Sequence, residues 1–136
     1  MEAKDSHGHT PLFEAATHGY NAVLKLLLDK GAQLETVGAY GRTPLISAAW
    51  YGQETAVRIL LGKGAELEAK DARGRTVLCS AAINGYPTIV KLLLNNGAEM
   101  TAEDPAGQTP LSWAVKNGNQ EVVKLLLEES ARGPSL

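Results

Sequence analysis

The chain has little cysteine, few aromatic rings, no dominant charge and no long hydrophobic run, and each shortage excludes a class of protein. Of its 136 residues one is cysteine, Cys79, which has no partner for an internal disulfide, and no Asn-x-Ser/Thr triplet occurs. Both absences suit a reducing, intracellular compartment, the cytoplasm. The 13 Lys and Arg face 15 Asp and Glu, so nothing draws the chain to polyanions, and no nucleic acid is expected as a partner. The longest unbroken apolar stretch, Ala48 to Tyr51, falls far short of the roughly 20 residues of a membrane-spanning helix. No opening stretch resembles a signal peptide, so a soluble protein without a membrane partner is expected. Aromatic residues make up 5% of the chain but apolar residues 44%, so a core is affordable only if Leu, Val and Ala build it.

What is present is a repeat. A shift of 33 places superimposes Gly8, Gly41, Gly74 and Gly107, then Thr10, Thr43, Thr76 and Thr109, then Leu12, Leu45, Leu78 and Leu111. Gly19, Gly52, Gly85 and Gly118 follow, then the apolar triplets that begin at Leu26, Ile59, Leu92 and Leu125, then Gly31, Gly64 and Gly97. The chain is one domain, 1–136, of four units at about 5–37, 38–70, 71–103 and 104–136.

Each unit can be read from its own chemistry. Thr10 followed by Pro11 predicts a helix start, because the hydroxyl accepts a bond from an orphan N–H and proline at the first helical position lacks only an unused donor. The first helix then runs to about His18, where Gly19 supplies the positive φ that reverses the chain. Ala15 and Ala16, matched by Ala48-Ala49, Ala81-Ala82 and Ala114-Val115, give one face small side chains that let a neighbouring backbone approach. In the second helix Val23, Leu24, Leu27 and Leu28 form an apolar stripe, while Lys25 and its equivalents Arg58, Lys91 and Lys124 face water. Gly31 closes that helix. Residues 32–42 lack helical period and suit a turn or extended hairpin leading to the next unit. Asn-Gly pairs at 84, 96 and 117 ordinarily signal hairpin turns, but their place in the repeat makes them helix C-caps.

Thr-Pro-Leu, a small-residue pair, glycine, a Val/Leu-rich helix and Gly-Ala at a period of 33 resemble the ankyrin repeat, and the resemblance spans nearly the whole chain. In style, Thr-Pro-Leu-Ser-Trp-Ala-Val and Leu-Leu-Leu-Glu are similar to the long arrays of fungal signalling and immune-receptor-like proteins. The resemblance implies an all-α solenoid of stacked antiparallel helix pairs joined by β-hairpin-like loops, with a concave surface of loop tips and first helices that binds proteins. Several positions depart from the family pattern. Val77 stands for proline, Gly38 for the aspartate kept as Asp5, Asp71 and Asp104, and Ser130 for the last capping glycine. Phe13, Ile46, Cys79 and Ser112 occupy the place of the family's histidine, and Glu35, Glu68 and Thr101 that of an asparagine hydroxylated in some members. The last helix, from Glu121 to Leu127, keeps the apolar pattern of an internal unit. Its outer face is then covered by the tail from Glu128 to Leu136 folding back, by further chain of a longer protein, or by a partner.

Candidate chemistry is sparse. Ser47 and Ser80 sit on first helices with no histidine in their own units, since His7, His9 and His18 all fall in the first. Gly62-Lys63-Gly64 and the stretch from Gly38 to Thr43 lack the spacing of a phosphate loop. His7-Gly8-His9 with Asp5 falls short of the four ligands of structural zinc. Cys79 occupies a slot where thiols pack as small hydrophobes. No enzyme activity, metal or cofactor is expected.

Surface recognition remains. By the resemblance, contact residues fall at loop tips and at the pairs closing each first helix, here Thr17-His18, Trp50-Tyr51, Ile83-Asn84 and Lys116-Asn117. Trp50-Tyr51 stands out as an interface anchor, because Trp, Tyr and Arg dominate hot spots. Loops add Val37, Tyr40 and Arg42, then Lys70, Arg73 and Arg75, then Glu103 and Asp104, a strip running from aromatic to basic to acidic. The expected ligand is a protein or peptide with acidic groups beside an apolar anchor, bound by Tyr40, Arg42, Trp50, Tyr51, Lys70, Arg73, Arg75, Ile83 and Asn84. The alternatives are a ligand-free spacer or engineered stacking scaffold, favoured if Trp50 is fully buried, and the regulatory segment of a larger enzyme or signalling protein.

Overall fold

Four caps start the inner helices. In the computed structural model, which describes Lys4 and residues 8–132, Thr10, Thr43, Thr76 and Thr109 accept bonds from the backbone N–H of Phe13, Ile46, Cys79 and Ser112 at 3.2, 3.2, 3.4 and 3.2 Å. The helices they open are α1 (Pro11–His18), α3 (Pro44–Trp50), α5 (Val77–Asn84) and α7 (Pro110–Lys116). The threonine hydroxyl therefore defines the start even where Val77 replaces proline. Each inner helix is followed by an outer one, α2 (Asn21–Asp29), α4 (Glu54–Gly62), α6 (Pro87–Asn95) and α8 (Gln120–Arg132). Gly85, Gly97 and Gly118, from the three Asn-Gly pairs, have φ of 74°, 89° and 70° and sit at helix ends. Among the described residues all regular structure is helical, and no helix is long and apolar enough to cross a membrane.

Inner helices pack on inner helices, α1 on α3 on α5 on α7, and outer on outer, α2 on α4 on α6 on α8, giving an all-helical repeat solenoid. The core runs along the stack as the alanine pairs of the inner helices together with Leu24, Val57, Leu60, Val90, Leu93 and Leu126 of the outer ones. The turn glycines are fixed by the neighbouring pair as well as by φ. A Cβ on Gly19 would meet Gln53 Oε1 at 2.5 Å, and one on Gly85 would meet Asn119 Oδ1 at 2.7 Å. Those amides are occupied in stacking: Gln53 Nε2 donates to Thr17 O at 3.0 Å, and Asn119 Nδ2 to Ala82 O at 2.8 Å.

The ends show what stacking supplies. Val23, expected on the buried stripe, is 49% exposed, whereas its equivalents Ala56, Ile89 and Val122 are buried against the pair that precedes them. At the other end Val115 is exposed where Ala16, Ala49 and Ala82 are buried. The tail does not fold back from Glu128: with Ser130 in place of glycine, α8 runs on to Arg132. Residues 133–136, like Asp5 and His7, lie outside the described residues.

The loops between pairs carry a hairpin-type closure without strands. Gly38, Asp71 and Asp104 donate their N–H to the carbonyls of Arg42, Arg75 and Gln108, each at 2.9 Å. In two loops the aspartate also braces the turn: Asp71 Oδ1 accepts from the N–H of Arg73 and Arg75, and Asp104 Oδ1 from those of Ala106 and Gln108, at 2.9–3.0 Å. Gly38 cannot do this, and the Phe13 ring explains why it is glycine: a Cβ there would lie 2.6 Å from the ring. Without the brace the turn changes type. Tyr40 and Gly41 adopt φ of 59° and 69° in sequence, the pattern of a type I′ turn, with Arg42 N donating to Ala39 O at 3.1 Å.

The contact between Phe13 and Gly38 gives a direct test. Gly38→Ala should destabilise the array by about 1–2 kcal/mol in urea titration, as overpacking does. Combining it with Phe13→Leu should give less than the sum of the two single effects; strict additivity would show that the ring is not what excludes a side chain.

Candidate functional site

The type I′ turn sets the site, because it raises the Tyr40 ring beside the face of α3. Tyr40 is 68% exposed, held in a left-handed conformation that few non-glycine residues adopt, and its carbonyl accepts a bond from Ala72 N at 3.0 Å in the next loop. Arg42, two residues on, turns inward. Its guanidinium carbon lies 4.7 Å from the Tyr40 ring centroid and 4.2 Å from that of Trp50, at the end of α3. Arg75, one repeat later, lies 5.6 Å from the Trp50 centroid and 5.8 Å from that of Trp113 on α7, and Lys116 Nζ lies 5.2 Å from the Trp113 ring. Aromatic and cationic groups thus alternate along the stack in the order Tyr40, Arg42, Trp50, Arg75, Trp113, Lys116. Each such contact is worth about 0.5–2 kcal/mol, more where water is excluded.

The ladder walls a pocket of about 350 Å³ lined by Tyr40, Arg42, Trp50, Tyr51, Asp71, Ala72, Arg73 and Arg75. Six of the nine residues expected at the site converge there. Lys70 stays outside it, exposed on the loop, and Ile83 and Asn84 serve other ends. The Asn84 amide donates to Trp50 O at 2.7 Å and so holds the helix end that carries the indole, and Asn117 Nδ2 donates to Ile83 O at 3.0 Å one step on. Trp50 is half-buried rather than fully buried, and Tyr51 beside it is 50% exposed.

Two expectations about charge need correction. Arg42 and Arg75 are not exposed at the loop tips: they are 6% and 9% exposed, with their guanidinium groups against the aromatic rings. Asp104 is not an exposed acidic end of the strip either. It is 8% exposed, and its Oδ2 accepts a bond from Trp113 Nε1 at 3.0 Å. Burial pushes its pKa upward, but the bonds from Gln108, Trp113 and Ala106, with the Arg75 charge, outweigh this and hold the carboxyl below its usual value. The role of Trp113 was absent from the sequence reading. Lys116, three residues along the same helix, was the available signal.

The other candidates take structural places. Ser47 and Ser80 are buried; the Ser47 hydroxyl lies 2.7 Å from Thr17 Oγ1, and the Ser80 hydroxyl donates to Thr76 O at 3.4 Å. Burial pushes the Cys79 thiol pKa up despite bonds from Thr76, leaving it less reactive than a free thiol. His9 Nδ1 lies 2.6 Å from Glu14 Oε1, and His18 Nε2 lies 3.3 Å from Glu14 Oε2. Glu35 and Glu68 accept the backbone N–H of Glu66 and Glu99 in the following unit, each at 3.0 Å. Ser112, in the histidine slot, accepts Thr109 N at 2.7 Å and completes a capping box.

The family model described as ankyrin repeats (three copies) matches residues 1–71 and 67–134. The chain belongs to the ankyrin-repeat family. No match appears among curated proteins. Proteins of this helical fold generally act as protein-interaction modules and are typically non-catalytic.

The sign of the Asp104 shift sets a pH dependence. A folded-state pKa below the unfolded value means that the carboxylate contributes stability fully above the unfolded pKa, about 3.9, and loses it as pH falls through the folded value. Wild-type protein should therefore lose stability between pH 6 and pH 3, and Asp104→Asn should be less stable at pH 6 but lose less on acidification. An equal loss in both, followed by chemical denaturation, would remove Asp104 from the acid response.

Proposed function

We propose that the chain acts as one array of four units, 5–37, 38–70, 71–103 and 104–136, that binds a protein or peptide segment inside the cell and does not catalyse. The segment lies across the second and third units with an apolar residue against Trp50 and Tyr51 and acidic groups beside the arginines. One observation carries this reading. Trp50, half-buried and gripped by two cations, lines with the exposed rings of Tyr51 and Tyr40 a pocket that also holds Arg42, Asp71 and Arg75. Rigid aromatic anchors with arginine neighbours are the composition of interface hot spots. A spacer role accords better with a fully buried Trp50, and the ring is not fully buried.

Random peptides displayed on phage and selected on the whole 136-residue chain supply the ligand for a test. Replacing Trp50 and Tyr51 together by Ala should weaken binding of the selected peptides by about 2 kcal/mol or more in calorimetric titration, with the helical content retained. Peptides that bind the double variant as tightly as the wild type would dispose of this face as the binding site.

A further inference from the structure

The two arginines under the aromatic rings differ in how their charge is answered. Arg75 has Asp71, whose Oδ2 lies 3.7 Å from Arg75 Nε. Among the described residues Arg42 takes part in no ion pair; its Nε, like that of Arg75, is buried without a hydrogen-bond partner, and its guanidinium lies against the Tyr40 and Trp50 rings. A guanidinium that is 6% exposed with an unanswered donor is an unfavourable arrangement in a folded protein unless a ligand completes it. Asp71 does not supply the missing acceptor: its Oδ1 accepts two backbone N–H groups, and the cation its Oδ2 pairs with is Arg75.

We propose that Arg42, seated between Tyr40 and Trp50, is the receptor for a single carboxylate of the bound segment, from an aspartate or glutamate side chain next to its apolar anchor. This rests on the peptide-binding reading above and names the acid it selects. The buried groups decide the charge of the ligand. Asp71 lies against Arg75, whose charge also acts on the buried Asp104 outside the pocket lining, so Arg42 is the buried charge left over in the lining, and one carboxylate neutralises it. A phosphate dianion would need the charge of Arg73 as its second counterion, and Arg73 is exposed, where water and salt screen it. Geometry fits as well. Ring contacts hold the guanidinium and leave its in-plane N–H groups as the fork that matches a carboxylate with two parallel bonds.

The test uses the phage-selected peptides on the whole chain, in wild-type form and in two variants, Arg42→Met and Arg42→Lys. Selected sequences should carry Asp or Glu within a few residues of the apolar anchor. Changing that acid to its amide should weaken binding at least tenfold on wild type and leave binding to Arg42→Met unchanged. Arg42→Lys should recover only part of the affinity, because an ammonium lacks the fork. Arg42→Met should also stay close to wild type in urea, since the loss of the two ring contacts is offset by removal of an uncompensated buried charge while the apolar stem is kept. A marked fall in stability would make Arg42 a structural residue and overturn the proposal. Peptides that require Trp50 and Tyr51 yet ignore both the amide change and Arg42→Met would refute the carboxylate receptor while leaving the binding face intact. Tighter binding of a phosphorylated serine, threonine or tyrosine in place of the acid would refute the monoanion assignment. Selected peptides indifferent to Trp50 and Tyr51 would fail the face and the receptor together.

Discussion

No helix pair in this chain can bury its own apolar surface, and that constraint sets nearly everything else. An inner helix of seven or eight residues with two adjacent small side chains has little core of its own. It becomes stable when the next inner helix closes on Ala15 and Ala16, or on their equivalents, at a distance only small residues permit. The same closeness bears on the turn glycines that have a following pair: an amide of that pair at Gly19 and Gly85, and the Tyr86 ring at Gly52, occupies the place where a Cβ would stand. Stability is thus a property of neighbours. The exposure of Val23 and Val115 at the two ends is this rule with one neighbour missing.

Recognition chemistry grows out of the same register. Arg42 and Arg75 are one repeat apart, each just before a capping threonine, so stacking sets both against Trp50 on the helix between. An isolated loop of five residues could not keep a guanidinium in such a position. Here the loop is tied to its own helix by the Thr43 cap and to the next loop by the bond from Ala72 to Tyr40. Arg42 and Trp50 belong to one unit and Arg75 to the next, so the pocket exists only in the array.

Much of this was legible in the residues. A period of 33 with Thr-Pro starts and glycine ends carries local rules of capping and helical spacing, and those rules act within a few residues of the signal. The unread part depends on which way a side chain turns. Arg42 and Arg75 follow loop glycines and Asp104 lies in the next loop, so all three read as exposed loop groups, but charge alone does not reveal that an indole lies against each guanidinium or donates a bond to the carboxylate. Trp113 carries no signal of its own in the sequence, because only the fold of the last loop onto α7 brings Asp104 to its nitrogen. Gly38 looked like a lost aspartate, whereas it is the space required by Phe13, 25 positions earlier.

The location of the pocket follows from how an array distributes its weaknesses. In a single-core domain an uncompensated arginine draws directly on the stability of the whole, a margin of about 5–15 kcal/mol. In a stack whose stability is a sum over neighbouring interfaces, a local penalty falls chiefly on the units that hold it. The second and third pairs have neighbours on both sides, so they are the units best able to carry a left-handed Tyr40 and a buried, unanswered Arg42. The terminal pairs, each with an open face, have less to spare. A preformed pocket with buried charge in this fold therefore belongs in the middle of the array, where the geometry stays fixed before the ligand arrives and little ordering remains to oppose binding.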